Sequence, residues 1–341
     1  MCAALRTLRS VMRCLICVTL LSATLVATSG CGRDGADDAK GQRPRFAFVI
    51  NVPGRYWDIA HAGCLKAAEE ENVEVEFHVP GESTAAQQKQ IVESLISKGV
   101  AGLAITPLNP QSMGRVLDQA AGFMPVICMD SDAPDCKRVC YIGTDNVEAG
   151  RRLGEQMKKA LPDGGEVAMF VGQLDVGNAR DRHRGVTEAL AGSNLTVIGT
   201  FTDGADRPTA RSNVADVLAK HPNLKGVIGL WGYNGPAAAK ALEDNPEREV
   251  KIIAADEDVE TLYALRQGRI YASVAQQPFE FGYQSIKMLA RLHRKESVDI
   301  PDDKLIYVPT YVITQDDVDE VAGTVDAKLE LLAQHRTRQG L

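Results

Sequence analysis

Residues 46–79, FAFVINVPGRYWDIAHAGCLKAAEEENVEVEFHV, decide the fold. Residues 46–50 form an apolar run of strand length. Residues 57–72 read as a helix whose small residues Ala60, Cys64 and Ala68 share one face. Residues 73–79 then alternate apolar and polar at period two, as a strand with one wet face does. Strand, helix, strand in this order is the repeating unit of a parallel sheet flanked by helices.

The same grammar continues on both sides of a midpoint. A helix with Ile91 and Leu95 leads to a strand at 102–105, a helix at 113–121 and an apolar strand at 125–129. A second series follows. It has a helix with Val147, Gly150, Leu153 and Met157 on one side, a strand at 166–171, and a helix at 179–190. Strands at 196–201, 226–230, 251–255 and 272–275 complete it. With 341 residues, 45% of them hydrophobic, the chain can bury a substantial core and divides into two similar lobes. A net charge of −7 excludes a nucleic-acid partner, because no basic stripe can replace counterions along a phosphate backbone.

The N-terminus has the order of a secretory signal. Arg6, Arg9 and Arg13 precede an uncharged run over 14–28, which is short for a membrane span. Thr28-Ser29-Gly30-Cys31 resembles a bacterial lipobox, with Thr28 where that motif usually has Leu. Residues 1–30 are therefore expected to be removed and Cys31 to carry lipid. An ordinary cleaved signal with a stray cysteine is the alternative. Residues 31–43 read as a tether. Among the other cysteines of the mature chain, Cys64 and Cys128 fall at core positions. Cys136 and Cys140 bracket a short loop. In an oxidising compartment a disulfide between them is expected, with two free thiols as the alternative. A zinc site would need two further ligands, and none of the six histidines is near in sequence.

Taken in order, several segments resemble the ribose- and galactose-binding periplasmic proteins. They are Phe46-Ala47-Phe48-Val49-Ile50 with Tyr56-Trp57, Ile105-Thr106-Pro107, Pro125-Val126-Ile127-Cys128-Met129-Asp130 and Gly143-Thr144-Asp145-Asn146. Ala179-Arg180-Asp181-Arg182, Ala254-Ala255-Asp256 and Val274-Ala275-Gln276-Gln277-Pro278 follow. The resemblance spans residues 45–313. It implies the type I periplasmic-binding fold, two three-layer α/β/α lobes with mostly parallel sheets joined by a three-strand hinge. The crossings would fall near Asp145, Gln276 and Leu305. The lobes would then comprise 44–145 with 276–305, and 146–275 with 306–335, leaving 336–341 as a tail. It also implies a monomer without cofactor, which delivers a sugar to the permease and ATPase subunits of an ABC transporter. The chain departs from the ribose pattern at Ser131 (Arg in that pattern), at Trp231-Gly232-Tyr233-Asn234 (an Asn-Asp pair) and at Ala205 (a stacking Phe).

A monosaccharide presents apolar C–H faces and a ring of hydroxyls, so its site needs flat aromatics beside charged or amide groups. Trp57 and Trp231 lie at strand-to-helix junctions, flanked by Tyr56 and Tyr233, where rings can sandwich a sugar. Core packing is the alternative for each tryptophan. Asp130 and Asp256 end apolar strands in the two lobes and can each accept from hydroxyls; a strand-end Asp is also a common turn former. Arg182 donates through several N–H groups, and Asn178 lies one helical turn before it. Thr106 joins the first lobe's set, Asn234 the second's, and Gln276 stands at a hinge crossing. Arg180 reads as a surface or interlobe salt-bridge residue.

Other classes are disfavoured by what is missing. No G-x-G-x-x-G opens a βα unit, residues 172–179 lack the Lys-Ser/Thr of a phosphate loop, and no nucleophile elbow occurs. Asp130 and Asp256 as a glycosidase pair remain the enzymatic alternative. A sugar-responsive repressor is excluded by the secretory signal in place of a DNA-binding headpiece. The main alternative to uptake is a sensory protein that presents a sugar or furanone signal to a membrane receptor.

Overall fold

A computed structural model describes residues 43–339; the signal, Cys31 and nearly all of the tether lie outside them. The chain begins with β1 (Arg45–Val49), α1 (Arg55–Glu71), β2 (Glu74–His78), α2 (Ala85–Lys98), β3 (Gly102–Ile105), α3 (Pro110–Ala121), β4 (Val126–Met129) and β5 (Cys140–Gly143). It continues with α4 (Asn146–Ala160), β6 (Gly165–Val171), α5 (Gly177–Leu190), β7 (Leu195–Thr202), α6 (Arg207–Lys220) and β8 (Leu224–Gly229). Next come α7 (Asn234–Glu243), β9 (Lys251–Ala255), α8 (Val259–Arg266) and β10 (Ala272–Ala275). The last elements are α9 (Pro278–His293), β11 (Leu305–Tyr307), β12 (Tyr311–Ile313) and α10 (Val318–Gln339).

These strands form two six-stranded sheets, ordered β11-β5-β4-β3-β1-β2 and β12-β10-β9-β8-β6-β7. All neighbours run parallel except β10 and β12, which are antiparallel. The two sheets share one winding order, and the doubly wound α/β architecture with two lobes is as expected. Phe46 to Val49 of β1 are fully buried on both faces, as a parallel strand between two helix layers requires. Phe46 and Phe48 face one core layer, Ala47 and Val49 the other. On the edge strand β2, Phe77 stacks on Phe48 with centroids 5.4 Å apart, while Glu74 and Glu76 pair outward with Arg43 and Arg45.

Each lobe locks two helices together by the same device. A Cβ on Gly63 of α1 would lie 2.0 Å from the carbonyl oxygen of Phe279 on α9, and one on Gly282 would lie 2.1 Å from that of Ala60. In the second lobe the reciprocal pair is Gly150 of α4 and Gly185 of α5, at 2.1 and 2.0 Å from the carbonyls of Arg182 and Val147. Only hydrogen at these four positions permits the backbones to approach so closely.

Several boundaries differ from the sequence reading. Leu305, Ile306 and Tyr307 pair with β5 of the first sheet, so the third crossing falls over Val308–Thr310, after Leu305. The segment 306–335 does not belong to the second lobe alone. Val318 is buried in that lobe's core and Asp319 pairs with Arg266 at 2.6 Å, but Asp326 pairs with Arg55 and Arg336 with Asp58, both on α1 of the first lobe. Helix α10 thus spans both lobes, and residues 336–339 extend it rather than forming a tail.

The expected Cys136–Cys140 disulfide is absent; both thiols are free. Residue 140 begins β5, and its side chain packs with Met288, Sγ to Sδ 3.4 Å, in one core layer. Cys136 belongs to the layer on the other face of that sheet. A strand directs alternate side chains to opposite faces, and the sheet stands between these two. Cys64 and Cys128 are buried core residues. No helix among the described residues is long and apolar enough to cross a membrane.

Candidate ligand-binding site

Two aspartates terminate equivalent strands in equivalent conformations. Asp130 follows β4 with φ 60°, and Asp256 follows β9 with φ 64°, a left-handed geometry that Asp tolerates better than most residues. A hydroxyl from the adjacent strand holds each backbone. Tyr141 on β5 donates to the Asp130 carbonyl at 2.9 Å, and Ser273 on β10 donates to the Asp256 carbonyl at 2.6 Å. Both carboxylates therefore leave the carboxyl ends of their sheets, where open parallel sheets bind ligands.

On the first lobe, the Tyr56 hydroxyl donates to Asp130 Oδ1 at 3.2 Å and Thr106 Oγ1 donates to Oδ2 at 3.3 Å. Burial pushes the Asp130 carboxyl up to about 6, an effect opposed by Arg182 and reinforced by Asp256 from the opposite lobe. Burial, and then the Asp130 charge, raise the Tyr56 hydroxyl well above its ordinary range; Asp256 and Arg182 act on it as well. The two lobes' charged groups thus lie within electrostatic reach of one another. Trp57 departs from its expected role. It is 4% exposed, belongs to the first lobe's core and meets Tyr56 edge-on at 5.0 Å, so it supports that ring rather than presenting a face to the cleft.

On the second lobe, Arg182 is buried, with Nε donating to Asn146 Oδ1 at 3.0 Å and Nη1 to the Leu230 carbonyl at 2.8 Å. These two bonds fix the guanidinium plane, and Nη2 makes no hydrogen bond among the described residues. The Trp231 indole donates to Asn178 Oδ1 at 3.2 Å and lies over Gly172, where a Cβ would come within 2.0 Å of the ring. Asn178 thus orients the indole. Asn234 departs from the reading. It is fully buried, accepts from the Trp231 backbone N–H at 3.1 Å and donates to Asp203 at 2.9 Å, so both ends of its amide are engaged within the lobe.

At the hinge, Gln276 donates to Asp256 Oδ1 at 2.8 Å and accepts from Thr144 Oγ1 at 2.9 Å, which ties two crossing segments to the second lobe's carboxylate. Asp145 caps α4 at the first crossing by accepting from the N–H groups of Val147 and Glu148. The sequence reading did not assign Thr144, Asn146 or Asp203 to the site, and it named Tyr233 only as the aromatic flanking Trp231. Asp203 takes the Tyr233 hydroxyl at 2.5 Å, the Asn234 amide and the Ala205 N–H, and so braces the loop that carries Trp231. Its signal was available, since Asp203 follows strand β7 much as Asp130 and Asp256 follow theirs. Arg180 is exposed and makes no ion pair among the described residues; it donates to the Asp175 carbonyl.

A cavity of about 830 Å³ opens between the loop after β4 and the start of α5. Asp130, Thr144 and Asn178 are in its wall, whereas Arg182, Trp231 and Asp256 are not, so it adjoins the carboxylate cluster without coinciding with it. No cluster of potential metal ligands occurs among the described residues.

The periplasmic binding protein domain matches residues 46–297, and the chain belongs to that family. A ribose import binding protein of Salmonella typhimurium is 24% identical over 218 residues, covering 64% of this chain and 74% of its own. A D-allose-binding periplasmic protein of Escherichia coli is 26% identical over 274 residues, covering 76% and 87%. A solute-binding protein of Burkholderia graminis, solved in complex with D-arabinose, is 32% identical with a TM-score of 0.76 over 81% of this chain and 96% of its own. The relatives are binding proteins, and this chain is a binding protein of that family rather than an enzyme.

Proposed function

We propose that the chain captures one monosaccharide or similar polyol between its lobes and delivers it to the permease and ATPase subunits of an ABC importer. Cys31 would hold it at the outer face of a membrane by a lipid. The observation that carries this reading is the pair of left-handed, strand-end carboxylates, one from each lobe, gathered with Arg182 and Tyr56. Carboxylates accept from sugar hydroxyls, Arg182 Nη2 donates to them, and the partly buried Trp231 ring covers a C–H face. The lobes exchange the chain at 144–145, 276–277 and 308–310. A ligand that touches both lobes favours the closed arrangement by its differential affinity for the two states. The relatives are named for import and sugar binding, which supports uptake over presentation to a receptor.

A thermal-shift panel of ribose, allose, arabinose, galactose and xylitol on the mature protein tests the reading, because a ligand that binds only the native state raises the melting temperature. At least one sugar is expected to do so at micromolar to millimolar concentration. Calorimetry with that sugar is expected to show a loss of at least tenfold in Asp256→Ala and Arg182→Ala, since a charged hydrogen bond is worth about 1.5–3 kcal/mol. Arg180→Ala should change affinity much less. No stabilisation by any member of the panel, or unchanged affinity in both site variants, contradicts the reading.

A further inference from the structure

Helix α10 consists of two halves that rest on different lobes. Val318, Val321 and Ala322 pack in the second lobe's core, and Asp319 pairs with Arg266 of α8 at 2.6 Å. From Val325 onward the polar partners belong to the first lobe. Asp326 pairs with Arg55 at 3.5 Å and Arg336 with Asp58 at 3.2 Å, both on α1, and the Lys328 ammonium stands 5.5 Å over the Phe279 ring of α9. Val325 and Leu332 are buried, so the apolar stripe that begins at Val318 continues at helical spacing from one lobe to the other.

Gly323 and Thr324 occupy the point where the helix passes between the lobes. Glycine in a helix interior costs stability relative to alanine, and a close helix contact is one reason for it to stand there. That reason is missing at Gly323, because nothing lies within 4 Å of an added Cβ. At Gly63, Gly150, Gly185 and Gly282, by contrast, such a carbon would strike a backbone carbonyl. The Thr324 hydroxyl donates to the Glu320 carbonyl at 3.0 Å, a bond that competes with the backbone ladder and bends helices. A glycine beside a hydroxyl residue is a place where helices kink. We propose that α10 is a fourth connection between the lobes, whose halves move with different lobes and bend at Gly323, and that it restrains the opening of the ligand-free protein.

The basis is the proposed closure of the lobes around a ligand, in which the three chain crossings permit rotation. Helix α10 joins α8 of the second lobe to α1 of the first, so a rotation that carries α1 away from α8 must bend α10 or lift it from α1. Bending at Gly323 keeps both sets of contacts and strains only the helical hydrogen bonds around that residue. The first-lobe half is the weaker attachment. Its two ion pairs are exposed, and a cavity of about 580 Å³ is lined by Leu331, Gln334 and His335 of α10 and by Leu65 and Glu69 of α1. Arg55 immediately precedes Tyr56, so α10 grips the end of α1 that carries a ligand group of the first lobe.

Three variants of the full chain, compared without ligand, test this. Asp326→Lys with Arg336→Glu sets like charges against Arg55 and Asp58 and releases the first-lobe half. Small-angle scattering is expected to show a larger radius of gyration than wild type. Hydrogen exchange of amides 325–338 should accelerate about tenfold, because these exposed contacts hold a locally opening segment. Adding Arg55→Glu and Asp58→Lys restores both pairs with reversed sign and should return both quantities toward wild type. Gly323→Ala stiffens the bend without a clash, and is expected to slow exchange of amides 320–327 and to lower the radius of gyration. A radius of gyration that the double reversal leaves unchanged, that the restored pairs do not recover, or that Gly323→Ala raises would overturn the inference. Failure of lobe closure itself shows separately, as a wild type that no panel sugar compacts.

Discussion

Asp130 is held in a conformation and an environment that oppose its own charge. Burial raises its carboxyl to about 6 in the folded protein, above its ordinary value of 3.8. The folded state therefore binds a proton between pH 4 and 6 that the unfolded state has released, so this group's contribution to stability falls as pH rises through that window. At about 1.4 kcal/mol per pH unit, the ionised form costs on the order of 3 kcal/mol at pH 7. Asp130→Asn keeps an acceptor for Tyr56 and Thr106 but removes the buried charge. The ligand-free variant is expected to melt higher than wild type at pH 7.5, with the gain vanishing near pH 4, as thermal unfolding across pH would measure. A variant no more stable at pH 7.5 than at pH 4, relative to wild type, would contradict this account. At this scale the sequence was informative about Asp130, Asp256 and Arg182, because a carboxylate that ends an apolar strand, or an Arg one turn into a helix, has few alternative placements. It was uninformative about Asn234 and Trp57. An amide engaged internally and one free for a ligand have the same local sequence, and the turn of α1 that buries Trp57 against the core is a tertiary property.

Helices α1 and α9, and α4 and α5, depend on glycine at their closest approach. Gly185→Ala places a methyl group 2.0 Å from the Val147 carbonyl oxygen, a contact that forces the helices apart. Overpacking of this kind costs about 1–3 kcal/mol, and denaturant unfolding is expected to show that loss. Gly114→Ala on α3, where nothing lies within 4 Å of the added carbon, serves as the control and should be neutral or slightly stabilising through helix propensity. Equal behaviour of the two variants would count against the close-packing argument. Most elements were legible because apolar runs and helical stripes of ordinary length carry periodic patterns. Four short or weakly patterned elements, β5, β11, β12 and α10, were not. β5 is four residues long and begins at Cys140, so it looked like the end of a loop; β11 is three residues long, and its pairing with β5 comes from far along the chain. The path of α10 from the second lobe to α1 depends on Arg55, Asp58 and their distant partners Asp326 and Arg336, which local pattern cannot match.

At the level of the whole molecule, two similar lobes exchange the chain three times and are further connected by α10. A thermodynamic consequence follows from dividing the ligand's partners between them. Contacts confined to one lobe leave the open–closed equilibrium unchanged, while a ligand held by both shifts it by the difference in affinity. The near-duplicate strand order was legible from the repeated strand-helix grammar. The sugar's identity was not, because Ser131, Ala205 and the Trp231–Asn234 segment replace the residues by which the resemblance would assign it. The central claim is that one ligand sits between Asp130 and Asp256. The most direct measurement is a crystal structure of the mature protein with the panel sugar that most raises its melting temperature. The account predicts one sugar ring with hydroxyls within hydrogen-bonding distance of Asp130, Asp256 and Arg182 and the Trp231 ring against a C–H face. A sugar confined to the neighbouring 830 Å³ cavity, beside Arg180 and Tyr307 and touching neither Arg182 nor Asp256, would contradict it.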